Sequence, residues 1–392
     1  MTTNKAAELA LGGLLLILFA LQVPAQTAPL PTGTVAKVGL PYSCPTGVGW
    51  VTGMTCQNAT VSGCGGMQPL NFTYGYESPT GTLKGTIVLL SGGGGTRPST
   101  ETAETTFGQS YLAGGYQVVQ FAWQSEWENS HIPPSPFGVP PPAYSILTGA
   151  CRPATFLKYV NDNLYTKTST SGMCAQGSSA GSGAVAYALV WYGADQFLNN
   201  AELLSGPVFG NIEDGCKVPN EPNVTICGLG SDGTQQYGCN YPSSDGIHYG
   251  WSDAPQYIEG YLTAVQGWAG DNFCQNVPVG GSTSSSSNQN WLNMSIMANG
   301  GNLSFPNTRM GGWLCDPTSI SCNGRACQNN SAAQGEYFYT NFTGQMHPRV
   351  YSLTGIHSCI ADEGVAGGYT PQNVQGQDAI TADMLTNCHQ IN

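Results

Sequence analysis

The chain has 392 residues, 40% of them hydrophobic and only 9% charged, and carries a formal net charge of −12 at pH 7. That length could hold two average domains, but a large α/β domain often uses it as one, and the apolar share is enough for a sizeable core. The charge reflects 11 Lys and Arg against 23 Asp and Glu, which excludes the basic surface a nucleic-acid partner requires.

The first 25 residues read as a secretory signal. Lys5 gives a weakly positive start, Leu9 to Leu21 an apolar core, and Val23-Pro24-Ala25 a small-residue cleavage site. The apolar run is short for a bilayer, and no later stretch is long enough to span, so no membrane span is expected after signal removal. The expected location is extracellular, or periplasmic in a bacterial host. Residues 26–392 are expected to form a single domain. All 14 cysteines follow the signal: Cys44, Cys56, Cys64, Cys151, Cys174, Cys216, Cys227, Cys239, Cys274, Cys315, Cys322, Cys327, Cys359 and Cys388. An even, dispersed set in an exported chain points to disulfides. Spacing leaves the pairing open; Cys322 and Cys327 are merely closest. No C-x-x-C pair exists and the five His are scattered, so neither a metal nor another cofactor is expected. Asn58, Asn71, Asn223, Asn293, Asn302, Asn329 and Asn341 each head an N-x-S/T sequon, which carries glycan in a eukaryotic host.

Residues 26–70 are rich in Gly, Pro and Thr and predict an irregular opening segment with short strands. Leu70 to Tyr76 alternates apolar and polar, as a half-buried strand near a sheet edge does. Gly85 to Leu90 is a short apolar run of the buried parallel type and leads into Ser91-Gly92-Gly93-Gly94-Gly95. A helix over Glu104–Leu112 and a buried strand over Gly115–Trp123 complete a right-handed crossover. Residues 131–142, with six prolines, form a loop. Ala154 to Leu164 predicts a helix with Phe156, Leu157, Val160 and Leu164 on one face. A strand before Ser179, a helix over 184–192 and a strand from Ala201 that ends at Gly206, with Pro207 as its stop, follow. Between residues 208 and 305 regularity fades, which predicts a cap or lid inserted into the sheet domain, with the serine run 282–287 as its loosest part. Strands over Asn307–Leu314 and Pro348–Leu353, a helix over 332–342 and a terminal helix including Thr381–Leu385 close the chain.

Gly177-Ser178-Ser179-Ala180-Gly181 matches G-x-S-x-G between a strand and a helix, the context of a nucleophile elbow. A chain with 53 glycines also offers such a match by chance, as a loop capping a helix, so the pattern needs partners elsewhere. A serine hydroxyl needs a base, and the base a third group to hold it. In a parallel sheet such groups stand after strand C-termini. His357 follows the last strand and is the preferred base; His347 precedes that strand, His131 lies in the proline-rich loop, His248 in the inserted region and His389 near the chain end. Asp316 follows the penultimate strand and is the preferred orienter, against a reading as a turn-initiating Asp before Pro317. Asp214, beside Glu213, is the alternative acid, and Asp362 and Glu363 are placed past the turn. For the oxyanion, the Ala180 amide and the glycine loop, at Gly93 and Gly94, are the candidate donors. The loop fits neither G-x-G-x-x-G nor a P-loop.

Glycine loop, serine elbow, acid and histidine stand in one order, each after a predicted strand, and in this the chain resembles the α/β-hydrolase superfamily. The resemblance covers about residues 80–360, and the elbow and final histidine are its most specific parts. Residues 177–181 with Ala186-Tyr187-Ala188-Leu189 and Leu204-Ser205-Gly206-Pro207 look like a group of secreted members. The resemblance implies a mostly parallel central sheet flanked by helices, a cap above the site, and ester hydrolysis without a metal; the expected partner is a small-molecule or polymer ester, and the expected state a monomer. One departure is Ser91, which stands where esterases of the His-Gly-Gly-Gly type have histidine. The alternatives are a peptidase using the same triad and a non-catalytic extracellular binding protein. Trp123, Trp127, Trp251, Trp268 and Trp313 could stack sugars or acyl chains, but core packing is their more ordinary use.

Overall fold

In a computed structural model, the structure describes residues 28–65, 67–99, 102–128, 146–204, 206, 209–210, 227–229, 235–236, 295–298, 303–315, 338–339, 342, 348–353 and 371–391. The elements below all belong to the unit Pro31–Asn392.

The core is built on strands too apolar to face water. β4 (Gly85–Leu90) is buried along its whole length: Ile87 and Leu89 point to one face, Val88 and Leu90 to the other. Such a strand requires cover on both sides, which parallel sheets obtain from crossover helices. β4 pairs in parallel with β5 (Tyr116–Trp123) and with β6 (Gly172–Ser178). The parallel part continues through β7 (Asn200–Leu204), β10 (Arg309–Cys315) and β11 (Arg349–Leu353). On the other side β1 (Thr34–Ser43), β2 (Thr55–Ser62) and β3 (Leu70–Glu77) add an antiparallel flank. The order across the nine-stranded sheet is β1-β2-β3-β5-β4-β6-β7-β10-β11, and a separate ribbon pairs β8 (Cys227–Leu229) with β9 (Gln235–Gln236).

Two layers of helix cover the sheet. α1 (Thr102–Ala113) and α5 (Pro371–Asn387) lie on one face, where Phe107, Tyr111, Ile380 and Met384 pack on Ile87, Leu89, Val118 and Trp313. On the opposite face, after the short helix α2 (Ile146–Gly149), come α3 (Cys151–Asn163) and α4 (Ala180–Tyr192). α3 turns Phe156, Leu157 and Val160 inward, the face its spacing predicts. α4 is apolar all round and almost wholly buried, and Gly193 ends it in the left-handed conformation at φ 68°. Among the described residues three disulfides, Cys44–Cys56, Cys64–Cys151 and Cys174–Cys388, fasten the flank, α3 and the C-terminus to this frame.

Two expectations change. The opening segment holds two strands of 10 and 8 residues rather than short pieces. β3 is interior, because β1 and β2 extend the sheet beyond it, and the true edge is β1. Of the expected cap over 208–305, few residues are described, and the helix expected over 332–342 and the first 25 residues fall almost wholly outside the described residues. Among the described residues no helix is long and apolar enough to cross a membrane.

Candidate active site

The chain leaves β4 for β5 on one side and returns to β6 on the other side of β4. The crevice above the strand ends at such a reversal is where open α/β sheets take ligands. The glycine loop follows β4, and Ser179 follows β6.

Ser179 has φ 51° and ψ −119° and is the one non-glycine residue with positive φ among the described residues. A side chain in that region costs about 1–3 kcal/mol and persists only where the surroundings enforce it. The surroundings here are specific. The Ser179 amide donates to the Leu204 carbonyl at 2.9 Å. Its carbonyl accepts the Ser182 amide at 2.9 Å and the Ser182 hydroxyl at 2.7 Å. A β-carbon on Gly177 would collide with the Gly181 carbonyl, and one on Gly181 with the Leu90 carbonyl. Only glycine on both sides lets β6 turn this sharply into α4. The result is a half-buried serine at the positive end of a 13-residue helix.

The glycine loop is equally constrained. Gly93, Gly94 and Gly95 have φ of 57°, 74° and 68°. A β-carbon on Gly94 would lie 2.5 Å from Glu126 Cγ, and one on Gly95 2.9 Å from Trp123 Cδ1. The Gly95 amide donates to the Gly92 carbonyl at 3.0 Å, and the Trp127 amide to the Gly94 carbonyl at 3.1 Å. Ser91, at the start of the loop, closes it by donating its hydroxyl to the Arg97 carbonyl at 2.5 Å. The loop rests on buried Trp123 and Trp127, whose indole N–H groups have no hydrogen-bond partner among the described residues. It also rests on the fully buried Glu128, which faces Gly94 and attracts the Arg152 guanidinium. Arg152 donates to the carbonyls of Trp127 at 3.1 Å and Gln68 at 3.3 Å, and burial lowers it to about 10 against the pull of Glu128.

The structure therefore brings Ser179, Ala180 and the Gly93–Gly94 turn to one end of the sheet, joined where Gly181 meets Leu90 and Ser91. β10 and β11 run parallel to β6 and end on that same side, at Cys315 and Leu353. Asp316, His357 and the alternative acid Asp214 lie outside the described residues, as do His131, His248 and His347. His389 is described and exposed, beyond the end of α5. A cavity of about 840 Å³ under Tyr42, Trp50, Thr73 and Arg97 lies beyond the glycine loop, and Ser179 does not line it. Among the described residues no group of three or more His, Cys, Asp or Glu side chains could hold a metal.

One buried cluster escaped the sequence reading. Gln120, Gln176, Glu202 and Arg349 fall on a single transverse row of the sheet, through the pairings of Leu89 with Gln120 and Gln176, Gln176 with Glu202, and Gly311 with Glu202 and Arg349. Glu202 is fully buried. It accepts from Trp313 Nε1 at 2.6 Å, Asn200 Nδ2 at 2.7 Å and Arg349 Nη2 at 3.2 Å. Arg349 reaches across to Asp383 of α5, with Nη2 to Oδ2 at 2.6 Å. Burial, and then the charge of Asp383, raise Glu202 well above the usual carboxyl range. The Tyr111 hydroxyl of α1 donates to Gln176 in the same row. The cluster locks α5 to the strands that carry the elbow and that lead to Asp316 and His357. Its only sequence signals are a glutamate inside an apolar strand and an arginine opening the last one.

A mostly parallel sheet with helices on both faces and a strained serine at the strand-to-helix turn define an α/β-hydrolase fold. Family models and curated protein sequences give no match to the chain. Among solved structures it is similar to acetyl xylan esterase 1 of a Thermoanaerobacterium species, with 10% identity, 89% of each chain covered and a TM-score of 0.44. An esterase of the archaeon Pyrobaculum calidifontis gives 15% identity over 84% of this chain and 83% of that one, with a TM-score of 0.44. Carboxyl esterase 2 of the mycorrhizal fungus Tuber melanosporum gives 12% identity over 96% and 98% of the two chains, with a TM-score of 0.38.

Proposed function

We propose that the protein is an exported serine hydrolase that cleaves a carboxylic ester through an acyl-enzyme. The observation that carries this is the enforced conformation of Ser179. No requirement of packing explains a positive-φ serine between two obligatory glycines, whereas a nucleophile must stand clear of the sheet at a helix N-terminus. Ser179 attacks the acyl carbonyl while His357 takes its proton, and Asp316 holds the resulting imidazolium. The amides of Ala180 and of Gly93 or Gly94 stabilise the oxyanion; the Gly95 amide is already engaged with Gly92. His357 returns the proton to the leaving alcohol, and water then releases the acyl group by the same route. Glu202 and Arg349 act from below, by tying together the strands that hold these groups. Export is supported by the signal-like start and the three disulfides.

A fluorophosphonate probe tests the reading. The expected result is labelling at Ser179 and hydrolysis of short p-nitrophenyl esters that Ser179→Ala removes. No label, or undiminished hydrolysis in Ser179→Ala, overturns it. His357→Ala should remove both label and turnover, and Asp316→Asn compared with Asp214→Asn decides between the two acids. Turnover of amides in place of esters would assign the same serine to a peptidase.

A further inference from the structure

Two of the seven sequons lie among the described residues as whole motifs, and the fold interlocks them. In the β2–β3 ladder Asn58 faces Thr73, and Thr60 faces Asn71, so each sequon's asparagine meets the other's threonine. The Thr73 hydroxyl donates to Asn58 Oδ1 at 2.8 Å, and the Thr60 hydroxyl to Asn71 Oδ1 at 2.7 Å. Asn58 Oδ1 also accepts from the Tyr42 hydroxyl of β1 at 3.0 Å. Both asparagines are exposed. With the carbonyl oxygens held by hydroxyls, both Nδ2 atoms are left without a hydrogen bond among the described residues. Nδ2 is the atom an N-glycan occupies, so a glycan there disturbs none of these bonds.

The same place on the surface is exposed in a way sheets seldom tolerate. β1 ends the sheet, and nine of its ten residues are exposed. Val38, Leu40 and Tyr42 are 51%, 85% and 41% accessible. A bulge after Val38 and the proline at 41 break the outer edge beyond it, which leaves Thr34–Val38 as an uninterrupted, open ladder with Lys37 its single charge. Such an edge invites pairing with another chain unless something covers it. Asn58 stands directly opposite Val38.

We propose that Asn58 and Asn71 carry N-linked glycans, and that these cover the face beside β1 and keep its edge from pairing with a second copy. In the transfer, Nδ2 forms a bond to the anomeric carbon of a lipid-diphosphate-linked oligosaccharide. The bond from that carbon to the diphosphate oxygen breaks, its electron pair leaves with the lipid diphosphate, and one Nδ2 proton passes to solvent. The inference rests on export through a eukaryotic secretory pathway, and its readouts are independent of ester hydrolysis.

The test begins with the full chain made in eukaryotic secretory cells and treated with peptide N-glycosidase in heavy-oxygen water. Labelled aspartate at positions 58 and 71 is expected; an unlabelled peptide at either position overturns the assignment. A second portion of the folded protein is trimmed with an endoglycosidase that leaves one sugar on each asparagine and adds no charge, and is sized by light scattering against the untrimmed one. A doubling of mass is expected, and an unchanged mass overturns the covering role. Asn58→Gln with Asn71→Gln keeps an amide acceptor for the threonines and should associate in the same way, with ester turnover per labelled serine unchanged. Adding Val38→Lys to that variant should restore the monomer; persistence of the dimer places the contact elsewhere and overturns edge pairing. Should the glutamine variant fail to leave the cell, the trimmed natural protein still decides.

Discussion

Gly181 lies so close beneath the carbonyl oxygen of Leu90 that no β-carbon fits between them, and the Ser91 carbonyl would stand 2.8 Å from such an atom. The first turn of α4 is thereby seated on the end of β4, the strand that leads into the glycine loop. The proposed nucleophile and oxyanion donors follow strands that neighbour each other in the sheet but lie far apart in sequence, and this contact sets their separation. Gly181→Ala is expected to cost about 1–3 kcal/mol by overpacking and to lower kcat far more than KM, because the glycine loop is pushed away from Ser179. Urea unfolding and steady-state kinetics on p-nitrophenyl acetate check both; an alanine variant of full activity would dissociate the contact from catalysis.

Ser179 itself stores strain. Ser179→Gly should raise stability by about 1 kcal/mol or more, because glycine adopts φ 51° without a steric cost, while hydrolysis is abolished. Ser179→Ala, which keeps the β-carbon, should abolish hydrolysis without that gain, with kcat falling on the order of 10⁴–10⁶-fold. Comparing the unfolding midpoints of the two variants separates strain from the loss of the hydroxyl.

The buried carboxyl of Glu202 links stability to pH. Its raised folded-state value means that the folded protein holds a proton the unfolded chain has released. Its contribution is therefore complete below the ordinary glutamate value of 4.5 and is lost as pH rises toward and through the folded value. The slope is at most about 1.4 kcal/mol per pH unit for one proton. Glu202→Gln keeps an oxygen for Trp313 Nε1 and cannot ionise. Urea unfolding from acid to alkaline pH should show a decline in the natural protein that the variant lacks; parallel curves would refute the linkage.

Cys174–Cys388 ties β6, five residues before Ser179, to the end of the chain across 214 residues of sequence. Replacing both cysteines with alanine should cost about 2–5 kcal/mol. Turnover at low temperature should persist, because the elbow is held by its own glycines and by the Leu204 carbonyl. Thermal unfolding with activity measured below the transition checks the pair of effects.

Much of the fold was legible because it is local. Gly85–Leu90 carries four consecutive apolar residues, Ile87 to Leu90, and β4 has the limits of that stretch. The inward face of α3 follows from helical spacing, and the serine turn from a five-residue pattern whose glycines are steric necessities. The flank was less legible: β1 is exposed on both faces, so it lacks the alternation that marks a half-buried strand.

Sequence alone determined which serine stands at the turn and which strands are buried on both sides, since both depend on residues a few positions apart. Only the tertiary structure decided that β1 is the edge and which cysteines meet. It alone set Asn58 against Thr73, and brought Arg349 to Glu202 across a separation of 147 residues. The physical reason is that these relationships are made by the closure of long loops. Loop closure brings together groups whose neighbourhoods in sequence carry no sign of each other.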